Sequence, residues 1–99
     1  MACRAPVVAS ATGGILEVVI EGETGHLVPF EADPATTFPT DPAQFAKDLA
    51  ARITQLLADP AKAQRMGEAG RKRVEEHFSW TAIAAQTIQL YESLIAKRA

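Results

Sequence analysis

Cysteine, aromatic residues and surplus charge are all scarce in this chain. Its 99 residues include one cysteine, Cys3, one tryptophan, Trp80, and one tyrosine, Tyr91. A single thiol closes no internal disulfide and assembles no metal cluster. His26 and His77 stand far apart with no partner at ligand spacing, so each reads as an ordinary polar residue rather than a metal ligand. Ten basic residues against twelve acidic ones leave a net charge of −2, so the basic footprint of a nucleic-acid binder is missing. No run approaches the ~20 apolar residues needed to span a bilayer. Val7-Val8-Ala9 follows closely on Met1 to Arg4, but it is too short for a secretory signal core, and Pro6 and the nearby glycines argue against one. The expectation is a cytoplasmic protein with no membrane span and no nucleic-acid partner.

What is present is ordinary for a soluble globular chain: 47% hydrophobic and 22% charged residues. The length suits one small domain or a piece of a larger one. Such a chain buries about 65% of its unfolded surface, a workable but thin core.

Pro6 to Ser10 reads as a short strand. Its consecutive apolar residues lack alternation, as expected where both faces of a parallel strand are covered. Ala11-Thr12-Gly13-Gly14 breaks it with a turn. Ile15 to Ile20 is apolar at all but one position and suits either a strand or a short helix; Glu17 and the glycine turn favour a helix. Glu21 to Gly25 is a polar turn, and His26 to Phe30 reads as a second strand closed by Pro29. A right-handed crossover would make the two strands parallel. Glu31 to Thr40, with two prolines, three threonines and two acids, reads as a surface loop.

From residue 41 the pattern is helical. Asp41-Pro42 and Asp59-Pro60 each place an N-cap before a proline at the first helical position. Phe45, Leu49, Ile53, Leu56 and Leu57 share one helix face, ending near Ala58. Ala63, Met66, Gly70, Val74 and Phe78 mark the next buried stripe, with Gly67 and Gly70 allowing a bend or close packing. Ser79 caps a last helix whose apolar stripe includes Trp80, Ile83, Ile88, Tyr91, Leu94 and Ile95. The expected fold class is therefore α/β, short parallel strands followed by three helices. The expected organisation is one unit, 1–99, with strand-helix-strand and loop in 1–40 and a helical segment in 41–99.

Chemistry concentrates at Ser10 to Gly14. In open α/β sheets ligands bind beyond the carboxyl ends of strands. A glycine turn there brings backbone close to a ligand, and free amides at the start of the following helix favour an anion such as a diphosphate. The same five residues also suit a plain tight turn. No lysine follows, as a Walker motif requires, and the Gly-x-Gly-x-x-Gly fingerprint is incomplete. Glu17, Glu21, Glu23 and Glu31 read as solvated turn acids, and Arg71-Lys72-Arg73 with Glu75-Glu76 as a solvated helix face. Trp80 and Tyr91 read as core, and Cys3, lacking a local base, as a small buried residue.

The order of these words carries a resemblance. Met1-Ala2-Cys3-Arg4-Ala5-Pro6-Val7-Val8-Ala9-Ser10-Ala11-Thr12-Gly13-Gly14-Ile15-Leu16-Glu17-Val18-Val19 is similar to a segment Glu-Ala-Met-Ala-Cys-Gly-Thr-Pro-Val-Val-Ala-Ser-x-x-Gly-Gly-Ile-Pro-Glu-Val-Val. That segment belongs to retaining glycosyltransferases of the two-domain GT-B type, in particular actinobacterial-type glycogen synthases. Gly22 to Pro29 resembles the family's Gly-x-x-Gly-x-Leu-Val, and Phe78-Ser79-Trp80 its closing Phe-Ser-Trp. Arg4 and Ala5 depart from the usual Gly-Thr, and Leu16 from the usual proline.

The resemblance implies transfer of a glucosyl unit from ADP-glucose or a related nucleotide sugar to an α-glucan, on a partial Rossmann-like C-terminal donor domain. Nucleotide-sugar donor and glucan acceptor are the implied partners of the intact enzyme, and no cofactor is implied. It carries a donor-binding role to Thr12, Gly13 and Gly14, and no catalytic role to any residue. The family's donor signature is a pair of glutamates with seven residues between them, the second falling just before the position of Met1, which coincides with the methionine of Ala-Met-Ala-Cys. The expectation is a fragment starting at an internal methionine and inactive by itself. Two rivals remain: a non-catalytic interaction module that docks or self-associates through the last helix, and a small nucleotide-binding protein using only the Thr12–Gly14 turn.

Overall fold

Val7-Val8-Ala9-Ser10 and Gly25-His26-Leu27-Val28 pair as parallel strands β1 (Val7–Ser10) and β2 (Gly25–Val28), in the register Val7↔Gly25 to Ser10↔Val28. This is seen in a computed structural model, which describes residues 1–98. Between the strands lies α1 (Ile15–Val18), and after them come α2 (Pro42–Ala58), α3 (Pro60–Arg73), a π-helical turn (Val74–Phe78) and α4 (Trp80–Arg98). The class is α/β, as read from the sequence.

Local chemistry accounts for most boundaries. Asp41 Oδ1 accepts the Gln44 amide at 3.1 Å and Asp59 Oδ1 the Lys62 amide at 3.1 Å, each with proline at the first helical position. Asp59 serves α2 and α3 together, ending one and capping the other. Ser79 is extended (φ −69°, ψ 152°) and breaks the helix before α4. Its hydroxyl accepts the Ala82 amide at 3.1 Å and donates to the Glu75 carbonyl at 3.0 Å. In the loop before α2, Ala32 and Pro39 form an isolated antiparallel bridge.

The core is small. Val19, Val28, Leu56 and Met66 are its buried apolar side chains, joined by buried Thr24 and His26. Helix α2 packs on both strands and α3 on β2. The glycine face of α3 meets the start of the chain: a Cβ at Gly67 would overlap the Arg4 carbonyl, and one at Gly70 would touch the Met1 side chain. Arg71 Nη1 fastens this contact through the Ala2 carbonyl at 3.0 Å.

Several expectations are corrected. β2 stops at Val28 rather than running on to Phe30, and the last bond of the pair is the Ala11 amide to the Val28 carbonyl. Cys3 is exposed rather than buried; Met1 and Arg4, on either side of it, are the residues that meet the glycines of α3. Val74 to Phe78, read as a continuation of the α3 stripe, forms the wider π-helical turn. The apolar stripe of α4 is not core. Trp80 is 85% exposed, and Ile83, Ile88, Tyr91, Leu94 and Ile95 are exposed with it. The main neighbour of α4 is the π-helical turn, so nothing in the described residues covers that stripe. The accessible surface is accordingly 7025 Å², against about 5,500 Å² for a compact monomer of this mass. No described helix is long and apolar enough to cross a membrane.

Candidate functional site

Because β1 and β2 are parallel, their carboxyl ends share one edge, and the segments following both strands meet there. The Ala11 amide donates to the Val28 carbonyl at 2.8 Å, tying the turn to the end of β2. The chain then reverses through Thr12, Gly13 and Gly14. Gly13 has φ +54°, a left-handed conformation that costs an L side chain about 1–2 kcal/mol. The carbonyls of Thr12, Gly13 and Gly14 accept amides from Ile15, Leu16 and Glu17 at 3.3, 3.4 and 3.1 Å. Among the described residues, nothing accepts a hydrogen bond from the Gly13 and Gly14 amides. All three turn residues are exposed, with open space where either glycine would carry a Cβ. Two unpaired amides and a free hydroxyl in an uncrowded turn suit an anionic oxygen as acceptor.

Beyond the end of β2 a cavity of about 260 Å³ opens between the loop and α2, lined by Phe30, Glu31, Asp41, Gln44, Phe45 and Asp48 among others. Phe30 and Phe45 form its apolar floor, edge to face at 5.5 Å. Asp41 is committed to its cap and Asp48 to Gln44 Nε2 at 2.9 Å.

The acids read as solvated turn residues divide. Glu21 is structural. Its carboxylate accepts from His26 Nδ1 at 2.9 Å and from the Leu27 amide. Burial pushes the Glu21 carboxyl up, but the Leu27 amide, the His26 contact and the nearby Arg52 charge outweigh it and hold it below the ordinary glutamate value. A carboxylate only accepts, so the His26 proton sits on Nδ1. His26 is 3% exposed, and its Nε2 is buried without a hydrogen-bond partner. The described residues hold no group of three metal-ligating side chains.

Arg73 departs from the solvated face that its charged neighbours suggest. Its guanidinium reaches α1, donating from Nε to the Val18 carbonyl at 2.8 Å and from Nη2 to the Glu17 carbonyl at 2.7 Å. No local pattern signals this, because the partners lie 55 and 56 residues away in sequence.

A family model, glycosyl transferases group 1, matches residues 1–73, which contain the strand pair, the glycine turn and Arg73. The chain belongs to the group 1 glycosyl transferases. This group 1 chain is 47% identical over 96 residues to alpha-maltose-1-phosphate synthase of Mycobacterium tuberculosis, covering 97% of the chain and 23% of that protein. It is 39% identical over 97 residues to a glycogen synthase of the same organism, covering 98% of the chain and 20% of that protein. Among solved structures, sucrose-phosphate synthase from Thermosynechococcus elongatus superposes with a TM-score of 0.72 at 47% identity, over 97% of this chain and 21% of that one. The chain thus spans roughly a fifth of the length of the relatives it matches. Its parallel strands and following helices are those of a partial Rossmann-like domain of the GT-B glycosyltransferases.

Proposed function

We propose that this chain supplies part of the donor-binding wall of a cytoplasmic glycosyltransferase that moves glucosyl from ADP-glucose or a related nucleotide sugar onto an α-glucan with retention. The observation that carries the reading is the Thr12–Gly14 turn: exposed, at the carboxyl edge of the strand pair, with two unpaired amides, inside the region the family model matches. As the sugar–phosphate bond breaks, negative charge gathers on the departing diphosphate. Preorganised amides gain most at that moment, since their dipoles need no reorientation. Thr12, Gly13 and Gly14 are assigned this donor contact. No residue of the chain is assigned proton transfer or nucleophilic attack, and the chain alone is expected to bind a nucleoside diphosphate without transferring sugar.

The acceptor is the less constrained half. The two relatives are named for different products, maltose 1-phosphate and glycogen. Glucosyl transfer onto glucose 1-phosphate would give the first and transfer onto a glucan the second, with one donor chemistry common to both.

The test has two arms. Titrating the isotope-labelled chain with ADP and UDP to millimolar concentration is expected to shift the Gly13 and Gly14 amide resonances first. Silence at both glycines removes the donor role. Incubation with ADP-glucose or UDP-glucose and a glucan is expected to yield no transfer, and measurable transfer overturns the assignment of catalysis elsewhere.

The bare stripe on α4 favours a second reading, self-association of the chain through its last helix. Sedimentation showing a monomer throughout the micromolar range would remove it.

A further inference from the structure

The three basic residues that close α3 have different partners. Lys72 is exposed, with its ammonium 3.9 Å from Glu76. Arg71 pairs with Glu75 at 2.6 Å and holds the Ala2 carbonyl. Arg73 instead reaches across to the end of α1, donating to the Glu17 and Val18 carbonyls while its guanidinium carbon lies 5.3 Å from the centre of the Phe78 ring.

Helix α1 needs such a hold. It has one turn, no side-chain cap at its N-terminal end and no fully buried residue. A single turn is far below the length at which a helix sustains itself. Its last carbonyls have no further helical amides to accept, and Arg73 supplies two charge-assisted donors in their place. The other end of α1 is continuous with the glycine turn, because the amides of Ile15, Leu16 and Glu17 bond the Thr12, Gly13 and Gly14 carbonyls. A shift of α1 therefore carries the turn with it.

We propose that Arg73 is a positioning residue: its grip on the α1 carbonyls sets where the Gly13 and Gly14 amides stand, with Phe78 covering the guanidinium face. The proposal rests on the donor reading for its consequence, and on hydrogen bonds alone for its geometry. Arg73 touches no substrate; it acts through α1.

The experiment compares the labelled chain with Arg73→Met, Arg73→Lys and, as control, Arg71→Met, which removes a neighbouring arginine that does not reach α1. Without ligand, Arg73→Met is expected to move the Gly13 and Gly14 amide resonances and to speed exchange of the Val19 amide, which bonds Ile15, about tenfold. ADP binding should weaken about fivefold to tenfold, the scale of coupling through an intervening element. Arg73→Lys keeps the charge with a poorer fork and should fall between. Arg71→Met should lower the melting temperature while leaving both glycines in place. Unmoved glycine resonances in Arg73→Met overturn the proposal, as does an equal displacement in Arg71→Met, which would mark a general loosening. Where Arg73→Met does not fold, Arg73→Lys is judged by the same criteria. A wild-type chain that ignores ADP defeats the donor reading separately, since the ligand-free shifts still judge the grip of Arg73.

Discussion

Gly25 opens β2 opposite Val7 of β1, and an alanine there has no room for its methyl group. A carbon at that place would overlap the Val7 carbonyl oxygen and stand 2.8 Å from the Val7 carbonyl carbon. Ordinary carbon–carbon contact needs about 3.5–4.0 Å, so the strands would have to part by about 1 Å at the first pair of their register. The obstacle is backbone, and it has no rotamer to change. Overpacking of a closed interior costs about 1–3 kcal/mol, and a backbone obstacle places Gly25→Ala at the upper end, about 3 kcal/mol. Reduced freedom of the unfolded alanine chain returns only about 0.4–1 kcal/mol. Domains of this size hold about 5–15 kcal/mol in all, and a core resting on Val19, Val28, Leu56 and Met66 leaves little reserve.

Urea denaturation followed by circular dichroism measures this. With a slope near 1 kcal/mol per molar for a small chain, the midpoint should fall by roughly 2–3 M, or the transition should vanish. Gly14→Ala is the matched control: φ is −67° and the space around it is open, so the midpoint should move by less than about 0.5 M. Equal midpoints for the two variants would refute the pairing of Val7 with Gly25 and the parallel register built on it.

Two further outcomes follow from single side chains. Ser79→Ala removes the acceptor for the Ala82 amide and should cost about 1 kcal/mol; an unchanged unfolding midpoint would mean α4 does not begin at that cap. Glu21 titrates lower in the folded chain than its ordinary value of 4.5, so its ionised form stabilises the fold fully above that pH, and the contribution is lost as pH falls below it. The stability advantage of wild type over Glu21→Gln should therefore be constant near neutrality and shrink on acidification below 4.5. With 46% of the side chain in solvent, screening keeps the effect small. Stability–pH curves that stay parallel down to acid unfolding would show that the carboxylate does not depend on its Leu27 and His26 contacts.

How much of this could be read from the chain depends on how far each determinant reaches along it. The Asp41-Pro42 and Asp59-Pro60 starts are complete within four residues, cap and proline together, and they fall where the pattern places them. The glycine turn is local in the same way. The side-chain environments that differ depend on what lies beyond the local sequence. The last-helix stripe of Trp80, Ile88, Tyr91 and Leu94 has the spacing of a buried face, but periodicity reports only that a face is apolar and says nothing of what lies against it. In the fold the stripe meets solvent. Arg73 shows the converse. Flanked by Lys72 and followed by Glu75 and Glu76, it has every local mark of a solvated cation, yet its guanidinium is spent on two carbonyls more than fifty residues away. Glu21 likewise looks like any turn acid until His26 and the Leu27 amide close on it. The turn assigned to the donor is legible as a turn, because its geometry is specified by its own glycines. Those that hold the turn in place are set by tertiary contacts, and composition or spacing along the chain does not reach them.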